Sequence, residues 1–170
     1  MFQIHEMNYK NDFDYWLEST FQGFKITYCE DNNATEEEAR KVFQEFYIKE
    51  KKAMNPINPD YSIFIAESEE GEYAGILWMQ IRDDFPLIKE KLAWMVNIFV
   101  EQQYRKQGLA SEFIILAEDW SIKHHLRTIA FHVAKSNQIA RKFYEHHNFE
   151  LFHSEGNSCF YQKKINIHNE

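Results

Sequence analysis

The chain has 170 residues, and its composition excludes several classes of protein. Hydrophobic residues make up 44% and charged residues 27%, with five Gly and three Pro, which indicates a single globular domain over 1–170 and excludes disorder and collagen-like repeats. A net charge of −8 without a polybasic run argues against nucleic-acid binding. The charge is uneven: 1–90 hold 9 basic and 19 acidic side chains, or −10, whereas 91–170 hold 10 and 8, or +2.

Neither a targeting segment nor a metal site is evident. The N-terminus lacks a basic stretch followed by an apolar one, and no apolar run approaches the ~18 residues of a membrane span, so the sequence predicts a cytoplasmic protein. Cys29 and Cys159 lie far apart without CxxC or Cys/His spacing, so we expect neither a disulfide nor a zinc site. The remaining histidines are interpreted as solvated helix ends rather than metal ligands: His124, His125, His146, His147 and His153.

The first half of the chain predicts a strand, two helices and a hairpin. Helical spacing of apolar residues follows Asn11-Asp12, and Thr35 to Glu38 have the pattern of a capping box. Two segments rich in β-branched and aromatic residues flank the turn at Ser68 to Gly71. The expected elements are a strand around 2–7, a helix from residue 11 or 12, a second helix from Thr35 to about Met54, and strands over 61–67 and 72–82.

The second half predicts strands alternating with helices. The segment Leu92–Val100 is apolar on both faces apart from Asn97, which is typical of a central strand buried on both sides. The order β-α-α-β-β-β-α-β-α-β-β predicts an α/β domain with a mixed, mostly antiparallel sheet flanked by helices. After the strand at 92–100, the expected elements are a helix from Leu109, a strand at 128–134, a helix at 137–147, and strands at 150–154 and 158–165.

The segment from Val100 to Ala110 has the features of an anion site. It leads from a strand through a polar loop into a helix that begins near Gly108. Backbone amides at a helix N-terminus are unpaired and lie at the positive end of the helix dipole. Gly108 lets a phosphate approach the main chain, and Arg105 and Lys106 add positive charge. The segment suits a pyrophosphate, although it is neither a GxGxxG motif nor a P-loop.

A second polar segment begins the helix after the next strand. Asn137 stands at its start, and Ala140, Phe143 and Tyr144 share one face at helical spacing. Taken alone, Asn137 is equally a helix N-cap, and Tyr144 is equally a core aromatic whose hydroxyl reaches a surface partner.

Together, Arg105-x-x-Gly108-x-Ala110 and Asn137-x-x-Ala140-x-x-Phe143-Tyr144-x-x-x-Asn148-Phe149 resemble the two hallmark motifs of the GCN5-related N-acetyltransferases. The resemblance implies acetyl-coenzyme A as cosubstrate, bound by the half at 91–170, and an acceptor bound by the half at 1–90. It assigns to the cofactor Ile98, Phe99, Val100, Arg105, Lys106, Gln107, Gly108, Leu109, Ala110, Ser111, Asn137 and Tyr144.

The sequence departs from the family pattern at two positions. Gln102 replaces a common proline, which concerns the stiffness of the loop. Asn148 replaces the usual glycine after the last helix, and we expect it to keep the positive φ of that position, because Asn tolerates this conformation better than other side chains do.

Acetyl transfer needs an acid, a base and a donor to the carbonyl oxygen. A phenol can protonate a departing thiolate, so Tyr144 is the expected acid. Main-chain N–H groups around Ile98 to Val100 can hold the carbonyl oxygen. Three candidates remain open for the base: His132, which alternation places on the face opposite Phe131, Glu101, and a water chain to solvent.

The expected reaction is attack by a primary amine in a ternary complex; the alternative is a non-catalytic coenzyme A-binding module. The amine would be a small cation, such as a polyamine, an aminoglycoside or an amino acid, or a peptide N-terminus, because aromatic and carboxylate side chains suit a cation. Exposed aromatic residues are compatible with a homodimer, while no membrane or metal partner is expected. The expected acceptor residues are Trp16, Tyr28, Glu30, Trp78, Asp83 and Asp84, with Phe21, Phe24, Asp31 and Phe85 beside them.

Overall fold

The structure is a computed structural model that describes residues 1–50, 60–83 and 85–166, with main chain alone over 46–50. Its elements follow the order that the sequence predicts, so the fold class is confirmed. The described elements are β1 (Gln3–Glu6), α1 (Tyr9–Asn32), α2 (Glu36–Glu50), β2 (Tyr61–Glu67), β3 (Tyr73–Arg82), β4 (Leu92–Val100), α3 (Leu109–Lys123), β5 (Thr128–Ala134), α4 (Gln138–His146), β6 (Glu150–Glu155) and β7 (Ser158–Lys164).

All seven strands form one sheet in the order β1-β2-β3-β4-β5-β7-β6. Every neighbouring pair is antiparallel except β4 and β5, which are parallel and connected through α3. The parallel pair therefore lies at the centre of the sheet, where the chain passes from its first half to its second.

The sheet is covered by helices on both faces. On one face, α3 and α4 pack over a core that includes Leu77, Phe113 and Phe131. On the other face, α1 packs Trp16 against Trp78, and α2 packs in turn on α1. Residues that alternate along a central strand therefore reach two different cores.

Helix α1 begins earlier than the sequence predicts. Asn8 is its N-cap, and the Asn8 side chain accepts a hydrogen bond from the amide of Lys10. Asp12, which the sequence places at the start, is only 3% exposed and accepts the amide of Asn8 at 2.7 Å and the hydroxyl of Tyr73 at 3.0 Å. Its carboxylate thus serves the cap from inside the first turn.

The capping box of α2 is confirmed. The amide of Thr35 donates to the Glu38 carboxylate at 2.8 Å, and the amide of Glu38 donates to the Thr35 hydroxyl at 3.3 Å. The predicted end near Met54 lies outside the described residues, since the structure describes α2 as far as Glu50.

Candidate functional site

The sheet opens between β4 and β5. Across the described residues, which include the whole of both strands, the two strands pair at Ala93 with Ile129 and at Trp94 with Ala130, and not beyond. A β-bulge lies at the point of divergence, because Met79 pairs with Met95 whereas Trp78 pairs with Asn97, which leaves Val96 without a partner. Beyond the bulge, β4 and β5 are no longer paired, and we call the gap between their unpaired ends the cleft.

This opening corrects the prediction that β4 is buried along its whole length. Leu92 to Met95 are buried, but Val96 to Val100 are half-buried, because β5 no longer covers their edge. The edge of β4 that turns toward β5 therefore presents main-chain groups without a strand partner at Ile98 and at the amide of Val100. On its other edge β4 stays close to β3: a Cβ built on Gly75 would lie 2.5 Å from the carbonyl oxygen of Phe99.

The loop after β4 directs main-chain amides toward solvent. It contains a short 3-10 helix over Gln102–Tyr104, and then Lys106 and Gly108 take positive φ angles of 61° and 93°. Within the described chain, no group accepts a hydrogen bond from the amides of 106–110. A Cβ on Gly108 would meet nothing within 4 Å, so the space in front of this helix start is open. Open space before unpaired amides fits a phosphate group.

Arg105 and Ser111 lie on either side of these amides. The Arg105 Nε donates to the carbonyl of Val100 at 3.0 Å, which ties the loop back to the end of β4. Ser111, in the first turn of α3, forms a 3.0 Å hydrogen bond with the Nε2 of His147. The interpretation of His147 as a solvated helix end is therefore wrong, because its ring is half-buried and bonded to α3. His124 likewise packs on Trp120, with ring centroids 4.3 Å apart.

The second motif adopts both conformations that its sequence indicates. Asn137 is the N-cap of α4, and its side chain accepts from the amide of Ala140 at 3.1 Å. Asn148 has a φ of 62°, so the expected positive φ at the glycine position is confirmed. Because the cap uses the side-chain oxygen of Asn137, the side-chain NH₂ of Asn137 remains available as a hydrogen-bond donor at the start of α4.

Tyr144 lies on the α3–α4 face of the sheet. Its ring packs on Phe131 of β5, with centroids 4.1 Å apart, and it is half-buried by surface area. Burial raises the pKa of the Tyr144 phenol well above its ordinary value of 10. No described group hydrogen-bonds this hydroxyl. Protein surrounds the Tyr144 side chain but water still reaches it, as expected for a residue that lines a cleft. Its phenol therefore stays protonated.

His132 lies on the opposite face, as the alternation with Phe131 predicts. Its ring contacts Trp94 and Phe160, at centroid distances of 6.1 and 5.8 Å. More than a third of the residue is exposed, yet the pKa of His132 is lowered, first by the loss of water around it and then by the charge of Arg82. Its imidazole is therefore neutral at neutral pH.

Glu101 directly follows β4, and its amide donates to the carbonyl of Ala74 at 2.9 Å. If the parallel register of the Ala93–Ile129 pair is extended along both strands, His132 lies opposite Val96. Glu101 is five residues further along the chain from Val96, next to the loop. Glu101 lies beside the buried hydroxyl of Tyr15, whose pKa is raised by burial and further by the carboxylate. The structure thus separates the two candidate bases along β4.

The expected acceptor residues lie in several places. Trp16 and Trp78 are 2% and 8% exposed, so they lie in the core between α1 and the sheet. Tyr28 is half-buried and stacks on Phe24, Asp83 is exposed, and Asp84 lies outside the described residues.

The two carboxylates at the end of α1 hold loops of the second half. Ser136, just before Asn137, donates to Glu30, and the Asn157 side chain donates to Asp31 at 2.6 Å. Near its other end, α1 places Tyr15 against Glu101. Helix α1 therefore crosses the diverging part of the sheet from β4 to the loops beyond β5.

The sequence predicts Phe85 beside the acceptor, but not the aromatic group that Phe85 forms around His132. Phe85 packs on Trp94 at 5.0 Å and on Phe160 at 5.8 Å, and the guanidinium of Arg82 lies 5.0 Å from the Trp94 ring. Alternation along β5 indicates the face of His132, but Phe160 becomes its neighbour only through the pairing of β5 with β7.

Two kinds of site are absent from the described part of the chain. None of its helices is both long and apolar enough to cross a membrane. Nor do these residues bring together three or more His, Cys, Asp or Glu side chains that would hold a metal ion.

Comparison with known proteins places this arrangement in a family. The model of the acetyltransferase (GNAT) family matches residues 15–149. A search of curated protein sequences gave no match. Solved structures do match: the PaiA N-acetyltransferase from Thermoplasma acidophilum in complex with coenzyme A is 18% identical with a TM-score of 0.78, covering 97% of this chain and 99% of that one.

Two further structures share the fold. A proposed acetyl transferase from Pyrococcus furiosus is 21% identical, with a TM-score of 0.72 and coverage of 92% of this chain and 97% of that one. A GNAT-family acetyltransferase from Staphylococcus aureus Mu50 is 13% identical, with a TM-score of 0.67 and coverage of 98% and 100%. At these identities the likeness is one of fold, whereas the family match spans most of the sequence. The chain belongs to the GNAT family of acetyltransferases.

Proposed function

We propose that the protein is an N-acetyltransferase that moves the acetyl group of acetyl-coenzyme A to a primary amine by direct attack within a ternary complex. Acetyl transfer and the acetyl-coenzyme A donor follow from family membership. The proposal of an amine acceptor is supported by the cleft between β4 and β5, where Tyr144 lies on one face of the sheet and His132 on the other.

The fit of the cofactor rests on unused hydrogen-bonding groups. The free amides of 106–110 and the open space at Gly108 suit the pyrophosphate, with Lys106 adding positive charge. The unpaired edge of β4 at Ile98 and Val100 suits the amide-containing pantetheine arm, in the manner of an added strand. When bound, the cofactor supplies an acetyl group activated as a thioester.

Proton transfer would be divided between the two faces. An amine arrives protonated and attacks only when neutral, and the neutral imidazole of His132 can accept its proton. Tyr144, which burial keeps protonated, can give its proton to the sulfur as the C–S bond breaks and the C–N bond forms. The amine would thus approach from the His132 face while the thiol is released toward the Tyr144 face.

The surroundings of His132 bear on the acceptor. Its ring contacts the aromatic side chains of Trp94 and Phe160, and among the described residues the charge of Arg82 acts on its pKa. The carboxylates of Glu30 and Asp31 are already hydrogen-bonded to loops. An amine attached to an apolar or aromatic group, including the N-terminus of a peptide with a hydrophobic first residue, suits these side chains better than a polycation does.

A thiol-release assay tests the proposal. Purified protein and acetyl-coenzyme A would be incubated with aromatic monoamines, peptides with hydrophobic first residues, polyamines and aminoglycosides. We expect amine-dependent thiol release, fastest in the first two groups, with the N-acetyl product identified by mass spectrometry. If coenzyme A binds but no amine raises thiol release above hydrolysis, the proposal is wrong, and a non-catalytic coenzyme A-binding module becomes the better description.

A further inference from the structure

A hydrogen bond links the start of α3 to the end of α4. Ser111 is in the first turn of α3, immediately after the amides that lack partners, and His147 is the C-cap of α4. The Ser111 Oγ and the His147 Nε2 are 3.0 Å apart, and both residues are half-buried, so a ligand at the helix start can still reach Ser111.

The groups around His147 fix the ring without charging it. Phe143 packs on it with centroids 4.6 Å apart, and Lys163 of β7 donates to its carbonyl at 3.0 Å. Lys163 also pairs with Glu118 of α3 at 2.5 Å. Burial lowers the pKa of the imidazole, the neighbouring His146 and Lys163 lower it further, and Glu118 opposes them. His147 is therefore neutral at neutral pH in the free protein.

A serine hydroxyl carries one proton, and its direction decides what the group can bind. If the Ser111 proton is donated to His147, the oxygen presents only lone pairs, which repel a phosphate. If His147 donates from Nε2, the Ser111 proton is free to be donated to a phosphate oxygen.

We propose that His147 is a positioning residue for the cofactor, whose Nε2–H donates to Ser111 so that the Ser111 hydroxyl donates to a phosphate of coenzyme A at the start of α3. The inference rests on the proposed phosphate site and extends it to a side chain that does not itself touch the ligand. Its chemistry is that of an N–H···O–H···phosphate relay.

The relay links cofactor binding to pH. A bound phosphate favours the Nε2-protonated ring and, through its charge, the imidazolium, so the pKa of His147 is higher in the complex than in the free protein. The affinity gained in this way is fully present below the pKa that His147 has in the free protein. It is lost as pH rises through the pKa that His147 has in the complex. Coenzyme A therefore binds more tightly at pH 5.5 than at pH 8 through this residue.

Calorimetric titration of coenzyme A into full-length variants tests the relay. We expect His147→Leu and Ser111→Ala each to raise Kd about threefold to tenfold, the loss of one hydrogen bond, and the double variant to be no weaker than either single one. His147→Gln keeps a neutral donor, so it should retain most of the affinity at pH 8 and lose the pH dependence. Taking the Kd ratio of wild type to His147→Gln at each pH cancels the titration of the phosphates themselves.

The control is His146→Leu, which removes an exposed neighbouring imidazole. It should keep the wild-type Kd at pH 8, and the pH dependence should remain but move to higher pH, because His146 lowers the pKa of His147. Dephospho-coenzyme A tells the phosphates apart: a persistent His147→Leu effect assigns the relay to the pyrophosphate, and a lost effect assigns it to the 3′-phosphate. Pantetheine, which has neither, should show no effect.

The proposal is overturned if His147→Leu, folded by thermal melting, binds coenzyme A as wild type does, or if its effect adds to that of Ser111→Ala. Failure of wild-type protein to bind coenzyme A at all would instead contradict the phosphate site of the proposed function, so the two failures are distinguishable.

Discussion

At the scale of single residues, burial shifts the pKa values of the two groups proposed for proton transfer in opposite directions. It raises the pKa of the Tyr144 phenol, which stays protonated, and lowers the pKa of the His132 imidazole, which stays neutral. An acid that keeps its proton and a base that lacks one are both in their working forms at neutral pH.

Tyr144→Phe should lower kcat by roughly tenfold to a hundredfold, near the lower end of general acid catalysis because a thiol is already a good leaving group. Coenzyme A affinity should change little, since the ring and its packing on Phe131 remain. Thiol release gives the rate and calorimetry the affinity. Tyr9→Phe, which removes an exposed hydroxyl from the start of α1, is the control. An unchanged kcat in Tyr144→Phe would remove the acid role.

His132→Gln should lower kcat/KM by about a hundredfold. In the wild type, activity should rise with pH through a pKa below the ordinary 6.5 of histidine, because the neutral form is the base and its pKa is lowered. The ratio of wild-type to variant activity, measured over pH with one acceptor, isolates this rise of activity with pH from the titration of the amine. If Glu101→Gln abolishes the rise and His132→Gln preserves it, the carboxylate is the base.

At the scale of elements, the cleft depends on how β4 is held on its other edge. Beyond the bulge, β3 is the one described strand that pairs with β4, and Gly75 approaches the Phe99 carbonyl closely within this pair. The absence of a side chain at Gly75 therefore determines the position of the strand edge proposed for the cofactor.

Gly75→Ala should destabilise the protein by about 1–3 kcal/mol, because its Cβ would lie 2.5 Å from a backbone oxygen that cannot rotate away. Gly23→Ala is the matched control: its Cβ would lie 3.3 Å from the end of the Asn97 side chain, and alanine favours a helix, so we expect a change within about 1 kcal/mol. Urea unfolding measures both. Equal stability of the two variants would show that the β3–β4 spacing adapts.

Local elements were predictable, whereas the cleft was not. The capping box at Thr35 and the helix start at Asn137 depend on residues three apart in sequence, so their patterns identify them directly. The departure of β4 from β5 depends on a bulge at Val96 that the apolar run of Leu92–Val100 does not reveal. Likewise, the bond between Ser111 and His147 joins residues 36 positions apart, and nothing in either motif signals it.

At the scale of the whole molecule, the cleft is built from both halves of the chain and from both signs of charge. The half at 91–170, with a charge of +2, contributes the loop proposed for the phosphates, whereas the half at 1–90, with −10, contributes α1. Carboxylates at the end of α1 hold the loops of the other half, at Glu30 with Ser136 and at Asp31 with Asn157. Part of the acidic surplus therefore holds the two halves of the chain together, in addition to any role in solubility.

Because β4, the loop, α3 and α4 all border the cleft, a cofactor bound there should stabilise the whole fold. At a concentration 100 times its Kd, acetyl-coenzyme A should add about 2.7 kcal/mol, and for a domain of this size each 1 kcal/mol raises Tm by roughly 2–4 °C. Thermal melting should thus show a rise of about 5–10 °C. Gly108→Val should reduce this rise, because a β-branched side chain at a φ of 93° distorts the loop and occupies the open space before α3. The shift, rather than Tm itself, is compared, since the substitution also strains the free protein. A full shift in Gly108→Val would place the phosphates away from the start of α3.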